Sequence, residues 1–175
     1  MTLRAYVDES YRRTYLLALT VIDAKHQNET RKALREMCLP GQYRLHMKNE
    51  SESRRRWLLA TLNKLPITVH VIESEPPIKI LRHERDACLK EAIRILADLS
   101  IDEVTIESCG QDHLDRQLLS REIKRISASV QFVHTSPVRE PLLWSSDLFA
   151  WAYGKDVSWR RKVEGLVGSI TRIES

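Results

Sequence analysis

Two apolar runs stand almost back to back at the N-terminus, LRAYVDE (Leu3 to Glu9) and RTYLLALTVID (Arg13 to Asp23), separated only by Ser10, Tyr11 and Arg12. Their β-branched and aromatic content and the tight connection signal a β-hairpin. On periodicity alone the continuous stretch YLLALTV could also be helical. The first run ends in two adjacent carboxylates, Asp8 and Glu9. Each acid withdrawn from water costs several kcal/mol, on the order of the penalty for any unpaired buried ion, unless something pairs with it. The hairpin therefore constrains the fold and also raises a chemical question.

Beyond the hairpin the pattern alternates. A helix is expected from Ala24 to Met37, ended by Pro40 and Gly41, followed by an extended piece, YRLHMKN. SESRRRWLLATLNKL (Ser51 to Leu65) opens on a capping serine and sets Trp57, Leu58, Thr61, Leu62 and Leu65 on one helical stripe. ITVHVIES (Ile67 to Ser74) alternates as a third strand, and a long helix starts just after Pro77. Strands are then expected over Asp102 to Ser108 and Ser129 to Ser136, with helices over Gln111 to Ile126 and Glu140 to Gly154. A final basic amphipathic helix is expected from Ser158 to Arg172. The sum is an α/β fold with a five-stranded mixed sheet, its first strands antiparallel and its later strands parallel, flanked by helices. At 175 residues the chain is expected to form a single domain, residues 1–175.

Composition narrows the function. With five glycines the chain has no G-x-x-x-x-G-K-[ST] loop, no G-x-G-x-x-G and no G-x-S-x-G, which argues against P-loop nucleotide hydrolysis, dinucleotide redox chemistry and elbow-type serine hydrolysis. A phosphatase with an Asp nucleophile would usually carry a second acid two residues on, where this chain has Ser10. Cys38, Cys88 and Cys109 are odd in number and widely spaced, as expected of reduced, mostly structural thiols. No apolar run is long enough to span a bilayer and MTLRAYVDES lacks the signal-peptide pattern, so a cytoplasmic protein with no membrane partner is expected. The 28 Lys and Arg outweigh the 24 Asp and Glu by four, and two basic clusters carry a tryptophan each, SESRRRW and SWRRKVEG. Lys48, Arg54, Arg55, Arg160 and Arg161 are the candidate nucleic-acid contacts, with solvated helix faces as the plainer alternative.

Three acids occupy places where a sheet-based nuclease holds metal: Asp8 at the end of strand one, Glu107 at the end of strand four, and Asp147 inside the otherwise apolar LLWSSDLFAWA. Clustered carboxylates suit Mg²⁺ or Mn²⁺, whose hard character favours oxygen ligands and whose charge would offset the burial of the acids. Asp112 or Asp115 could take the place of Glu107. Strand alternation sends Glu9 to the face opposite Asp8, so the two are not ligands of one ion unless the strand bends. His46 could move a proton or contact a phosphate, or simply pack; His134 has the same ambiguity, and Ser10 could bind a phosphate or cap the turn.

The opening YVDES, the pair Leu45-His46 ahead of a helix, and the late LLWSSDLFAWA together resemble a large family of bacterial and phage proteins. That family is known chiefly as a domain of unknown function with a ribonuclease H-like fold. The resemblance covers roughly Leu3 to Tyr153. It implies a ribonuclease H-like domain, with Asp8 and Asp147 at the acidic nuclease positions and Glu9 and His46 at recurrent family positions. Family members commonly place Gly after DES, where this chain has Tyr11, and their strand-four acid is less regular. Two functions follow as expectations. One is a metal-dependent nuclease or related phosphodiester-cleaving enzyme with Asp8, Glu107 and Asp147 as its metal ligands. The other is a catalytically silent nucleic-acid- or protein-binding module on the same fold.

Overall fold

The computed structural model describes residues 1–76 and 79–174. The expected hairpin forms from β1 (Leu3–Tyr11) and β2 (Tyr15–Asp23), paired antiparallel from Leu3↔Asp23 to Tyr11↔Tyr15. β2 lies in the middle of the sheet, and Tyr15 to Ile22 are all buried. Burial on both faces explains why its sequence is continuously apolar rather than alternating.

Next come α1 (Gln27–Glu36), α2 (Glu52–Leu62), β3 (Ile67–Ser74), α3 (Leu81–Asp98), β4 (Glu103–Glu107), α4 (Asp112–Arg125), β5 (Gln131–Thr135), α5 (Leu142–Lys155), the short α6 (Val157–Arg161) and β6 (Val167–Ile173). The sheet has six strands in the order β5-β4-β1-β2-β3-β6. β1, β2 and β3 run antiparallel to their neighbours in turn, while β4 joins β1, β5 joins β4 and β6 joins β3 in parallel.

Two expectations are corrected here. The sheet has six strands, not five, because the end of the supposed helix over Ser158 to Arg172 is β6. Helix α6 stops at Arg161, and VGSITRI then alternates half-buried and exposed residues along an edge. Edge strands carry polar residues on their open side, which dilutes the period-2 signal and lets flanking basic residues imitate a helical face. Gly168 permits the pairing, since a Cβ there would stand 2.5 Å from the Thr68 methyl. The second correction concerns Trp57, which is 48% exposed; the buried stripe of α2 is Leu58, Leu59 and Leu62. The long helix begins at Leu81, and the expected start at Pro77 falls on residues outside those described.

Two hydrophobic layers form on the two faces of the sheet. On one, Tyr6, Leu16, Ala18 and Val71 pack under α5, with Leu34 of α1 and Leu58 of α2 completing the layer. On the other, Ala5, Val7, Leu17 and Ile72 pack against Cys88 and Leu89 of α3 and Leu119 of α4. The alternation along β1 thus sends even-numbered residues toward α5 and odd-numbered residues toward α3 and α4. No helix among the described residues is long and apolar enough to cross a membrane.

Candidate metal and nucleic-acid site

Asp8 follows Val7 on β1, and Val7 pairs with Ile106 of β4 in parallel. One step further along the ladder Asp8 stands beside Glu107, and both side chains take the α5 side of the sheet, since Val7 and Ile106 take the other. Helix α5 reaches β1 through small residues. Ser146 donates to the Tyr6 carbonyl at 2.9 Å and pairs with Thr20 at 2.8 Å, both bonds buried, and the next residue is Asp147. Its Oδ2 accepts the Met47 amide at 2.8 Å. That amide belongs to a single 3₁₀ turn, Met47–Asn49, which the fully buried Met47 side chain anchors. Asp8, Glu107 and Asp147, three of the acids singled out in the sequence, are therefore neighbours.

Their electrostatics are unusual. Asp8 is only 7% exposed. Burial, then a hydrogen bond with the Glu107 carboxyl, then the charges of Glu107 and Asp147 push the Asp8 carboxyl well above the usual carboxylate range, against the Glu9 amide that donates to it at 2.7 Å. A hydrogen bond between two carboxyls needs a shared proton, or a cation in its place. Burial raises Asp147 as well, with Glu107 adding to it, against the Met47 amide and the positive ends of His46 and Arg44. His46 Nε2 lies 3.5 Å from Asp147 Oδ1, and Arg44 Nη2 lies 3.3 Å from Glu107 Oε1. Arg44 was not a candidate in the sequence. Its signal was position: in the extended YRLHMKN, residues two apart share a side, so Arg44 accompanies His46.

Glu9 goes the other way. Its Oε2 accepts from the Tyr15 hydroxyl and from Arg85 Nη1. Arg85 of α3 also grips both oxygens of Asp115, Nε to Oδ1 at 3.0 Å and Nη2 to Oδ2 at 2.6 Å. Arg82 adds a bond to Asp115 at 2.9 Å and His134 Nε2 one at 3.1 Å. Although burial works against ionisation, the hydrogen bonds from His134 and Arg85 hold Asp115 well below the usual range. The two alternatives to Glu107 are thus otherwise engaged, Asp115 by guanidinium groups and Asp112 by the Cys109 amide at 2.7 Å and the Ser108 hydroxyl.

Cys109, Asp112 and Asp115 nevertheless present potential ligand atoms within 4.8 Å of one another, a tightness that the Asp8 group does not match. Charge balance favours the looser group for a metal. A divalent ion at Asp115 would compete with two guanidinium groups already in place, whereas Asp8 has no cationic side chain against it.

The basic candidates divide similarly. Lys48 lines a cleft of about 330 Å³ with His46, Asp147 and Trp151, and Arg55 lies 4.4 Å from the Trp151 ring centre. Arg54 is tied to the Met37 carbonyl at 2.7 Å and to Glu50 at 3.4 Å, and Arg160 to the Tyr153 carbonyl at 2.9 Å. Arg161 lies exposed on α6. Arg12, Arg85 and Trp151 were not singled out in the sequence, and nothing in their local patterns marked them. Cys38, Cys88 and Cys109 are all free thiols.

No family model matches the chain. A 66-residue stretch is 38% identical to the bifunctional protein HldE of Hyphomonas neptunium (strain ATCC 15444), covering 35% of this chain, and the chain spans only 14% of that relative's length. Among solved structures, the PCNA:RNase HII complex from Archaeoglobus fulgidus aligns with a TM-score of 0.56 at 15% identity, over 93% of this chain and 75% of the other. Ribonuclease H2 from Pyrococcus horikoshii OT3 aligns with a TM-score of 0.55 at 17% identity, over 94% and 75%. At such identities the likeness concerns the fold, an α/β mixed sheet similar to that of ribonuclease HII.

Proposed function

We propose that residues 1–175 act as one ribonuclease H-like domain that cleaves phosphodiester bonds in nucleic acid with a divalent cation, Mg²⁺ or Mn²⁺. The observation that carries this reading is Asp8: a buried carboxylate against two further acids with no basic side chain of its own. The donor set fits a hard cation, being all carboxylate oxygen. Asp8, Glu107 and Asp147 would hold the ion, which when bound supplies charge neutralisation at the phosphodiester and a more acidic attacking water. Around it, Asp8 and Glu107 present oxygens from rigid strands and the Glu9 amide fixes the Asp8 rotamer. His46, on the rim beside Asp147, is placed to pass a proton to a leaving oxygen, and Arg44 to meet developing negative charge. Glu9 acts as a support through Arg85 and Tyr15 rather than as a ligand.

The test is cleavage of labelled RNA, DNA and RNA–DNA hybrid with Mg²⁺ or Mn²⁺, repeated with Asp8→Asn, whose fold is checked by its melting curve. Cutting that depends on the metal and on Asp8 supports the reading; an inert wild type that binds no divalent ion ends it. A second reading, a silent nucleic-acid-binding module, draws support from Arg44 and His46, which partly neutralise the acids without any ion. Nucleic-acid binding that persists in EDTA without cleavage in metal would favour it.

A further inference from the structure

Cationic side chains from four separate places in the sequence converge beside the acidic group. Around the indole of Trp151 on α5 lie Arg55 of α2 at 4.4 Å, Arg12 of the β1–β2 turn at 5.2 Å and Lys155 at 5.9 Å from the ring centre. Lys48 shares the cleft of about 330 Å³ with Arg12, Trp151 and Asp147. Among the described residues none of these four cations forms an ion pair with a carboxylate. Their neighbours on α2 do: Arg54 pairs with Glu50 at 3.4 Å and Arg56 with Glu52, while Arg55 between them donates only to the Met47 and Lys48 carbonyls, at 2.9 and 3.0 Å. Arg12 likewise donates to a carbonyl, that of Trp151, at 3.2 Å. Burial and the charge of Arg55 make Arg12 less basic than usual, only partly opposed by Asp156, whose carboxylate caps the Trp159 amide at 3.0 Å.

Like charges held together repel, and an indole face offsets only part of that repulsion. An anion between them would offset the rest. The ring itself is occupied, by guanidinium groups and by Trp159 edge-on at 5.2 Å, so it serves to hold the arginines rather than to stack a base. We infer that Arg12, Lys48, Arg55 and Lys155, gathered on Trp151, form a subsite for a backbone phosphate of a nucleic-acid strand, next along from the phosphodiester that faces Asp8, Glu107 and Asp147. The identity of the ligand as a nucleic-acid strand rests on the nuclease reading; the anion site itself rests on the unpaired cations.

The experiment is fluorescence anisotropy of labelled RNA, DNA and hybrid oligonucleotides in EDTA across a salt series, so that no turnover enters. The double variant Arg12→Ala/Lys48→Ala is compared with Arg121→Ala/Lys124→Ala, which removes the same charge from the exposed face of α4. The first is expected to weaken binding at least about tenfold and to lower the slope of log K against log salt by about 2, roughly one per lost phosphate contact; the second is expected to change affinity less than about twofold. Equal losses in both variants, an unchanged slope in the first, full competition by inorganic phosphate, or a wild type that binds no oligonucleotide would each overturn the subsite. Melting curves of both variants separate lost binding from lost folding, and Arg55→Lys provides a second probe that keeps the charge while losing the planar contact with Trp151. A protein that binds in this way yet never cuts with Mn²⁺ fails the nuclease reading and leaves the subsite standing.

Discussion

Two clusters of buried charge flank β1, and consecutive residues feed them. On the α3 and α4 side, Glu9 and Asp115 are neutralised by Arg85 and Arg82, with Tyr15 and His134 completing the bonds. On the α5 side, Asp8 meets Glu107 and Asp147, with Arg44 and His46 only at the rim and no cation against Asp8. The first cluster satisfies its charges within the chain. The second leaves negative charge buried, and the fold holds it there at a cost to stability. Folded chains tolerate that kind of conflict mainly at functional sites.

Predictions follow from the contrast, the strongest first. Asp8→Asn is expected to lower metal-dependent cleavage at least 10³-fold, about 4 kcal/mol of transition-state stabilisation, read as initial rates at saturating Mn²⁺. A loss under tenfold would place Asp8 among the structural acids and erase the contrast. Arg85→Met should cost about 3–5 kcal/mol in denaturant unfolding, because it strands both Glu9 and Asp115 in the interior. A cost below about 1 kcal/mol would mean that the Arg85 cluster is no more satisfied than its counterpart.

Smaller effects sharpen the difference. Mn²⁺ at a hundredfold its dissociation constant should stabilise the wild type by about 2.7 kcal/mol in thermal melts and leave Asp8→Asn almost unmoved. In EDTA at pH 7 the order inverts, and Asp8→Asn should be the more stable protein by about 0.5–2 kcal/mol. The sign follows from the raised Asp8 carboxyl: its folded form prefers the proton, so the wild type loses stability as pH rises from the ordinary carboxylate range through the folded value, while the Asn variant does not. The gap should therefore close below about pH 4. Asp115 runs opposite. Its depressed carboxyl contributes stability above the ordinary range that is lost as pH falls toward its folded value, and Asp115→Asn should abolish that acid-side loss.

Much of this arrangement was legible in particular residues. The hairpin announced itself through the short link at Ser10 to Arg12, and strand alternation alone separated Asp8 from Glu9. Asp147 stood out as a lone acid in an apolar helix, which the structure explains by the Met47 amide and the nearby His46. β6 was hidden because an edge strand needs only half of its positions apolar, and its parallel partner β3 lies about a hundred residues earlier. Arg12, Arg44 and Arg85 were hidden for a related reason: nothing near an arginine in sequence says which distant carboxylate or ring it will reach.

The amino-acid order by itself determined the elements and the two faces of β1, since both follow from periods of two and 3.6 that operate over a few neighbouring residues. Only the tertiary structure decided which charges meet. The register of β4 beside β1 set Glu107 against Asp8, and the path of α3 gave Arg85 to Glu9, 76 residues away, rather than to Asp8. Coulomb energies depend on separations in space, and in a sheet ordered β5-β4-β1-β2-β3-β6 those separations bear little relation to distance along the chain.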